Sequence, residues 1–379
     1  MSTRNASTCH PLRRLLFAIV CCAVAVSPVG AVWPDPAVTP AERMPNAPHS
    51  LLLGAVGLDS GRIVAVGERG HVLLSDDDGA NWRQVVAPTR ATLTAVAASG
   101  DNVVAVGHDG VILHSSDAGD TWQRVREEPY SPDNVGSTSN GSPLLDVLFL
   151  DTNRVLAVGA YRLMLASTDA GVTWMPVPMA LTNDDKAEAS TERAAVTEAS
   201  VDDEDVSDPL LFSEDELMLD DEIDPHLNAV VRIGSNSLLL AGERGTLFRS
   251  EDDGASWRRL DLPYGGSMFG ALALGGSRVL VFGLRGRAFE SEDLGDTWSE
   301  INTGTQATLF DGDVGADGAI VLVGAQGAMV RRAPSDDVFR ASVFTTDAGE
   351  TPTSSAVLLH GRGQLLLFGD RGVFAWRQP

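Results

Sequence analysis

Apolar positions along this chain fall in short runs, with no helical stripe. In the unit that begins at Leu51 the runs are Leu51–Leu58, Arg62–Val66, His71–Ser75 and Trp82–Val86, each bounded by Gly, Asp or Asn. Aliphatic and β-branched residues separated by turn formers read as strands. The arrangement then returns. A Gly-x-x-Gly turn stands at Gly67/Gly70, Gly107/Gly110, Gly242/Gly245, Gly283/Gly286, Gly324/Gly327 and Gly369/Gly372, and Gly159 starts a variant with Arg162 in place of the second glycine. The first glycines are 40, 52, 83, 41, 41 and 45 residues apart. A period near forty with four short strands is the pattern of a propeller blade. The chain is predicted to be all-β, a seven-bladed β-propeller.

Five units carry an octet between their third and fourth runs, Ser-x-Asp-x-Gly-x-(Thr/Ser/Asn)-Trp: Ser75–Trp82, Ser115–Trp122, Ser167–Trp174, Ser250–Trp257 and Ser291–Trp298. Its place predicts a hairpin. The carboxylates of Asp77, Asp117, Asp169, Asp252 and Asp293 are suited to accept turn N–H groups and nearby hydroxyls. The glycine supplies a positive φ. Trp82, Trp122, Trp174, Trp257 and Trp298 then open the outer strand and pack into the blade. The sixth unit has Arg331, Arg332 and Ala333 where an octet would begin, and the seventh stops at Trp376 after its third run. Residues from the N-terminal side are expected to supply the missing outer strand and remove an open edge.

The two long spacings mark insertions. One lies near Glu128 to Pro143. The other spans 179–224, and within 183–224 there are 17 Asp or Glu against Lys186 and Arg193. Such a segment is expected to be disordered, with Leu210-Leu211-Phe212 and Leu217-Met218-Leu219 as short apolar anchors. At the N-terminus, Arg13 and Arg14 precede the apolar run Leu15–Val26, and Val29-Gly30-Ala31 follows. That reads as a signal peptide over 1–31, leaving a propeller over 32–379 that is periplasmic or secreted. Val20 before Cys21 argues against a lipoprotein anchor. All three cysteines lie in this segment, so the mature chain is read as cysteine-free. No later run is long enough to span a membrane. Removing the three arginines of 1–31 takes the net charge from −24 to −27. A chain this acidic is repelled by nucleic acid and anionic lipid.

The octets resemble the Asp-box, or bacterial neuraminidase repeat (BNR). With the blade spacing and the Gly-x-Arg-Gly turns, the stretch from Leu51 to Arg377 is similar to the photosystem II assembly and stability factor family. Those are seven-bladed propellers of the thylakoid lumen, with relatives exported by heterotrophic bacteria. The resemblance implies a non-catalytic scaffold or assembly factor without cofactor or metal, bound to a segment of a membrane or envelope protein complex, possible export systems included. It also implies an arginine patch at Arg69, Arg244, Arg285 and Arg371, with Arg162 displaced by one position. Asp109 and Gln326 depart from it.

Blade topology puts turns between second and third strands on the same face as the connections between blades. The arginines are therefore expected on one face, with both insertions, and the octets on the other. Arginines at equivalent points of a ring suit carboxylates, held by paired N–H donors. The plainer reading is that each arginine pairs with an acid nearby, such as Glu68 or Asp370. A calcium reading of the octets lacks a Glu at the twelfth loop position. The alternative function is a glycosidase or glycan-binding propeller. Sialidase chemistry needs a Tyr nucleophile and carboxylates beside three arginines, and the chain offers only Tyr130, Tyr161 and Tyr264. His49, His71, His108, His114, His226 and His360 show no metal-ligand spacing.

Overall fold

The computed structural model describes residues 35–134, 137, 139–182, 224–334, 336–360 and 364–377. The expected signal peptide and most of the acidic insertion, with its two apolar anchors, lie outside the described residues. Seven antiparallel sheets form the blades. Their innermost strands are Leu52–Gly57, Leu93–Ser99, Leu144–Phe149, Leu227–Arg232, Met268–Gly275, Leu309–Val314 and Ser354–His360. Each touches the next, and the last touches the first, so the ring closes. We call the strands of a blade a to d from the inside outwards.

The second strands, such as Ile63–Gly67 and Ile320–Gly324, are buried at every position or at every position after the first. Both their faces meet a neighbouring blade, so they read as continuous apolar runs instead of alternating. The core is accordingly divided among the seams. One cluster joins Val64, Val66 and Leu74 of blade 1 to Val103, Ala105 and Trp122 of blade 2. Another joins Ile63 and Leu73 to Leu366 and Phe368 across the blade 7–blade 1 seam.

The glycine turns have two physical causes. At the first glycine, a Cβ would lie 1.9–2.4 Å from the carbonyl oxygen that leads into strand a, in all seven blades. The second glycine has a positive φ, and in five blades its Cβ would meet a carbonyl of the chain crossing beside it, for example Thr89 O at 2.1 Å from Gly70. Blade 3 shows why Arg162 is tolerated there. Its outgoing connection is the long acidic detour, so the usual crossing chain is replaced by Pro225, whose carbonyl accepts the Arg162 N–H at 3.1 Å.

Strand a has a free inner edge, whose N–H and C=O groups need partners. Side chains on the preceding blade supply several. Thr94 Oγ1 donates to Leu144 O at 2.7 Å, and Asn228 Nδ2 to Met268 O at 2.8 Å. Asp146 accepts Val230 N at 2.8 Å, Asp311 accepts Val357 N at 2.8 Å, and Asp313 accepts Leu359 N at 2.7 Å. Composition and repeats gave no hint of these acids.

Blade 6 keeps the common architecture without an octet, and one sequence expectation changes at blade 7. Blade 6 has an outer strand, Arg340–Val343, without an octet; buried Phe339 takes the position of the octet Trp. The described N-terminal residues, 35–49, do not form the outer strand of blade 7. Among the described residues that blade has three strands. Residues 35–49 instead run over blades 1 and 2: Pro36 O accepts Arg90 N at 2.7 Å, and Ala37 O accepts Arg124 Nη1 at 3.1 Å. Pro48 and His49 then cross above Gly372, taking the place that a blade-to-blade connection has elsewhere.

Candidate functional site

The octets form the hairpins expected of them. In the second, Ser115 Oγ donates to Asp117 Oδ1 at 2.7 Å and accepts Gly119 N at 2.9 Å. Asp117 also accepts Thr121 N at 2.8 Å and Thr121 Oγ1 at 2.6 Å. The same set recurs around Asp77, Asp169, Asp252 and Asp293. The residue before each glycine also has a positive φ, from 56° at Ala118 and Asp253 to 60° at Ala170 and Leu294. Two such residues in succession make the turn that suits a twisted hairpin, so the preceding position carries strain that the octet bonds hold in place. The Thr173 and Thr297 hydroxyls, with the backbone N–H groups beside them, hold Asp169 and Asp293 down at about 2. Replacing Asp117 by Ala leaves turn donors unpaired and should cost about 1–3 kcal/mol, seen as a lower urea midpoint with unchanged slope; an unchanged midpoint would remove the clamp role.

The five tryptophans are buried or half-buried, Trp257 completely. They are core, not a ladder of exposed rings. On the octet face, arginines of one blade engage acids of the next. Arg62 meets Asp120 at 2.9 Å, Arg154 meets Asp253 at 3.0 Å, and Arg249 meets Asp296 at 3.1 Å.

The opposite face is different. Arg69, Arg244 and Arg285 sit at the third position of their turns with φ of 54°, 54° and 58°, and all three are exposed. Asp109, Tyr161 and Gln326 hold the same conformation in the other blades of this type. The turn therefore does not require arginine; the side chain is free to be chosen for what it faces. Arg69 and Arg285 make no hydrogen bond or ion pair with any described residue. Glu68, the suggested partner, instead accepts Leu51 N at 3.2 Å. Arg371 lies in a tighter two-residue turn, exposed, with Glu350 at 3.8 Å.

Arg162 does not join this set. It is half-buried, pairs with Asp224 at 3.1 Å, and lies 5.6 Å from the Phe248 ring. Of the described residues of the acidic insertion, Asp224 at its C-terminal end reaches the arginine face. The other end leaves beside the octet side, where Thr182 N donates to Trp257 O at 3.0 Å and Leu181 bridges Trp257. Residues 179 and 181 pack into the seam between blades 3 and 4.

An open cleft of about 840 Å³ lies on the arginine face at blade 5, lined by Arg285, Arg287, Glu300, Thr303, Thr305 and Gln306. Arg287 is held by Glu300 and lies 5.9 Å from the Tyr264 ring. Arg285 has no partner among the described residues and lies in that cleft beside two threonines and a glutamine that donate and accept. Among the described residues no group of three His, Cys, Asp or Glu is placed to hold a metal ion.

Residues 56–141 match the family described as photosynthesis system II assembly factor YCF48. Among solved structures, one titled YCF48 bound to D1 peptide superposes with a TM-score of 0.61 at 12% identity, covering 89% of this chain and 96% of that one. The chain is a YCF48-like BNR propeller. YCF48 from Cyanidioschyzon merolae gives a TM-score of 0.60 at 16% identity, covering 88% and 96%. A GH74 enzyme of Niastella koreensis gives 0.56 at 17%, covering 86% of this chain and 43% of that one. No curated protein matches the sequence.

Proposed function

We propose that this is a non-catalytic, exported assembly factor whose arginine face holds an extended, carboxylate-bearing segment of a membrane or envelope protein complex. The observation that carries the reading is the contrast between the faces. On the octet face Arg62, Arg154 and Arg249 are consumed by inter-blade ion pairs, while Arg69 and Arg285 stand exposed, without a partner among the described residues, at turns that would accept other residues. A guanidinium without an internal partner keeps its donors for a carboxylate. The D1 peptide on a similar propeller supports a peptide ligand. The acidic net charge of the chain and its basic turns together favour a ligand read locally over bulk attraction.

A glycosidase reading has the GH74 likeness behind it. It needs two carboxylates flanking a sugar, and the blade 5 cleft offers Glu300 alone, already paired with Arg287. The test is fluorescence anisotropy with a labelled D1 peptide. Binding should weaken at least about tenfold in Arg69→Ala/Arg285→Ala and fall as salt is raised. Equal affinity in both proteins would overturn the arginine-face reading.

A further inference from the structure

The third strand of blade 7, Gly372–Arg377, is six residues long, and no described strand lies outside it. The outer strands of the other six blades run from two to four residues. It joins strand b of that blade through Asp370-Arg371, with Gly369 opposite Gly372. In a two-residue hairpin the closing pair exchanges both hydrogen bonds, and the pattern alternates from there. Phe374 and Trp376 thus bond inwards, while the N–H groups of Val373 and Ala375 point outwards, where other blades have a fourth strand. The segment 35–49 places no strand on this edge, because it is committed to blades 1 and 2 and meets this strand at its turn end, near Gly372 and Val373.

We propose that this edge docks an extended segment of a partner protein, which adds to blade 7 as its fourth strand. The other blades describe the chemistry of the occupant. Each outer strand is entered by an aromatic residue: Trp82, Trp122, Trp174, Trp257, Trp298 or Phe339. In five of them an aliphatic residue follows three positions later: Val85, Val125, Val177, Leu260 or Ile301. Val85 and Leu260 are buried against the blade. The partner segment has the same form, aromatic-x-x-aliphatic, and its main chain pairs with the free edge.

Charge and pattern select between occupants. Exposed Arg371 stands at the turn end of the strand, and the Arg331 guanidinium lies 4.9 Å from the Trp376 ring. Carboxylates on the incoming strand complement them. A second copy of this chain would offer Phe374-Ala375-Trp376-Arg377, which lacks the aliphatic residue three positions after the aromatic one. The proposal stands on the strand edge and does not depend on the arginine-face reading.

The test is amide hydrogen exchange on residues 32–379, alone and with the synthetic peptide Thr-Trp-Ser-Glu-Ile-Asn-Thr, copied from residues 297–303. In the free monomer, Val373 and Ala375 should exchange rapidly while Phe374 is protected. Saturating peptide should slow both at least about tenfold. Ala375→Pro removes one outward N–H and no bond to the inner strand, so it should abolish peptide binding at an unchanged thermal midpoint. Three results overturn the proposal: protection of Val373 and Ala375 in the free monomer, which gives the edge to this chain itself; protection that appears only on dimerisation, which gives it to a second copy; or no response of the wild type to peptide.

Discussion

Gly324→Ala should lower the stability of the propeller by about 3 kcal/mol or more, against a change within about 0.5 kcal/mol for Gly57→Ala. The contrast isolates space from backbone freedom. Gly324 has φ −171°, which any residue adopts, but its Cβ would lie 2.0 Å from Thr308 O and 2.9 Å from Leu309 Cα. Both obstacles are backbone, so neither rotates away. To admit the methyl, the entry to strand a must shift, and with it the seam to blade 7, where Val321, Val323, Val357 and Leu367 share one cluster. Gly57 ends strand a of blade 1 with nothing within 4 Å of a Cβ. Urea unfolding of both variants checks this. Equal midpoints would mean that the turn glycines are dispensable and that the repeat is held by the octets alone.

The second large effect is in pH. Burial pushes the Asp311 carboxyl up to about 7 and that of Asp146 up to about 6, and Asp311 also feels the charges of Asp313 and Asp146. Asp313 is raised by the same cause. Water reaches part of each side chain, but protein surrounds the rest. A carboxyl whose folded value lies above its unfolded value stabilises the fold fully below the unfolded value, near 4. That stability is lost as pH rises through the folded value. The octet acids run the other way. Asp169 and Asp293, held near 2, support the fold above about 4 and release it as pH falls towards 2. The stability maximum is therefore expected near pH 4–5, with a decline between pH 5 and 8. Asn at position 311 keeps an oxygen for Val357 N and cannot ionise. Asp311→Asn should flatten the decline and gain roughly 2 kcal/mol at pH 8, about half of the unscreened value. Thermal midpoints from pH 4 to 8 check this; parallel curves for the two proteins would show that Asp311 is ionised at no cost.

What the sequence revealed and what it hid follow from repetition. The Gly-x-x-Gly turns and the octets recur because each solves a local problem, a close carbonyl or a strained hairpin, and such problems repeat with the blade. The seven blades were legible for that reason. Non-repeating solutions were not. Asp146 and Asp311 hold equivalent places on strand a in only two blades, and no neighbouring residue flags them. The seam between blades 7 and 1 is not legible because, among the described residues, its closure is not made by a strand. Pro48 and His49 pass over Gly372, and His360 Nε2 meets Asp78 Oδ1 at 2.7 Å where other blades use arginine. Arg162 was grouped with the turn arginines on spacing alone. Its neighbours Asp224 and Phe248 come from distant segments, which spacing does not report. The same limit applies to the insertion, which was set wholly on the arginine face because it joins two blades. Its entry packs beside Trp257 on the other side.

The arginine face is the central claim, and crosslinked co-purification from bacterial envelopes tests it most directly. Wild type is compared with a variant carrying Arg69→Ala, Arg244→Ala, Arg285→Ala and Arg371→Ala, after both are shown to share a thermal midpoint. The account predicts that wild type captures a membrane or envelope protein through an extended acidic or C-terminal segment, and that the folded variant loses it. Identical capture by both proteins would contradict it and leave the turn arginines without a docking role.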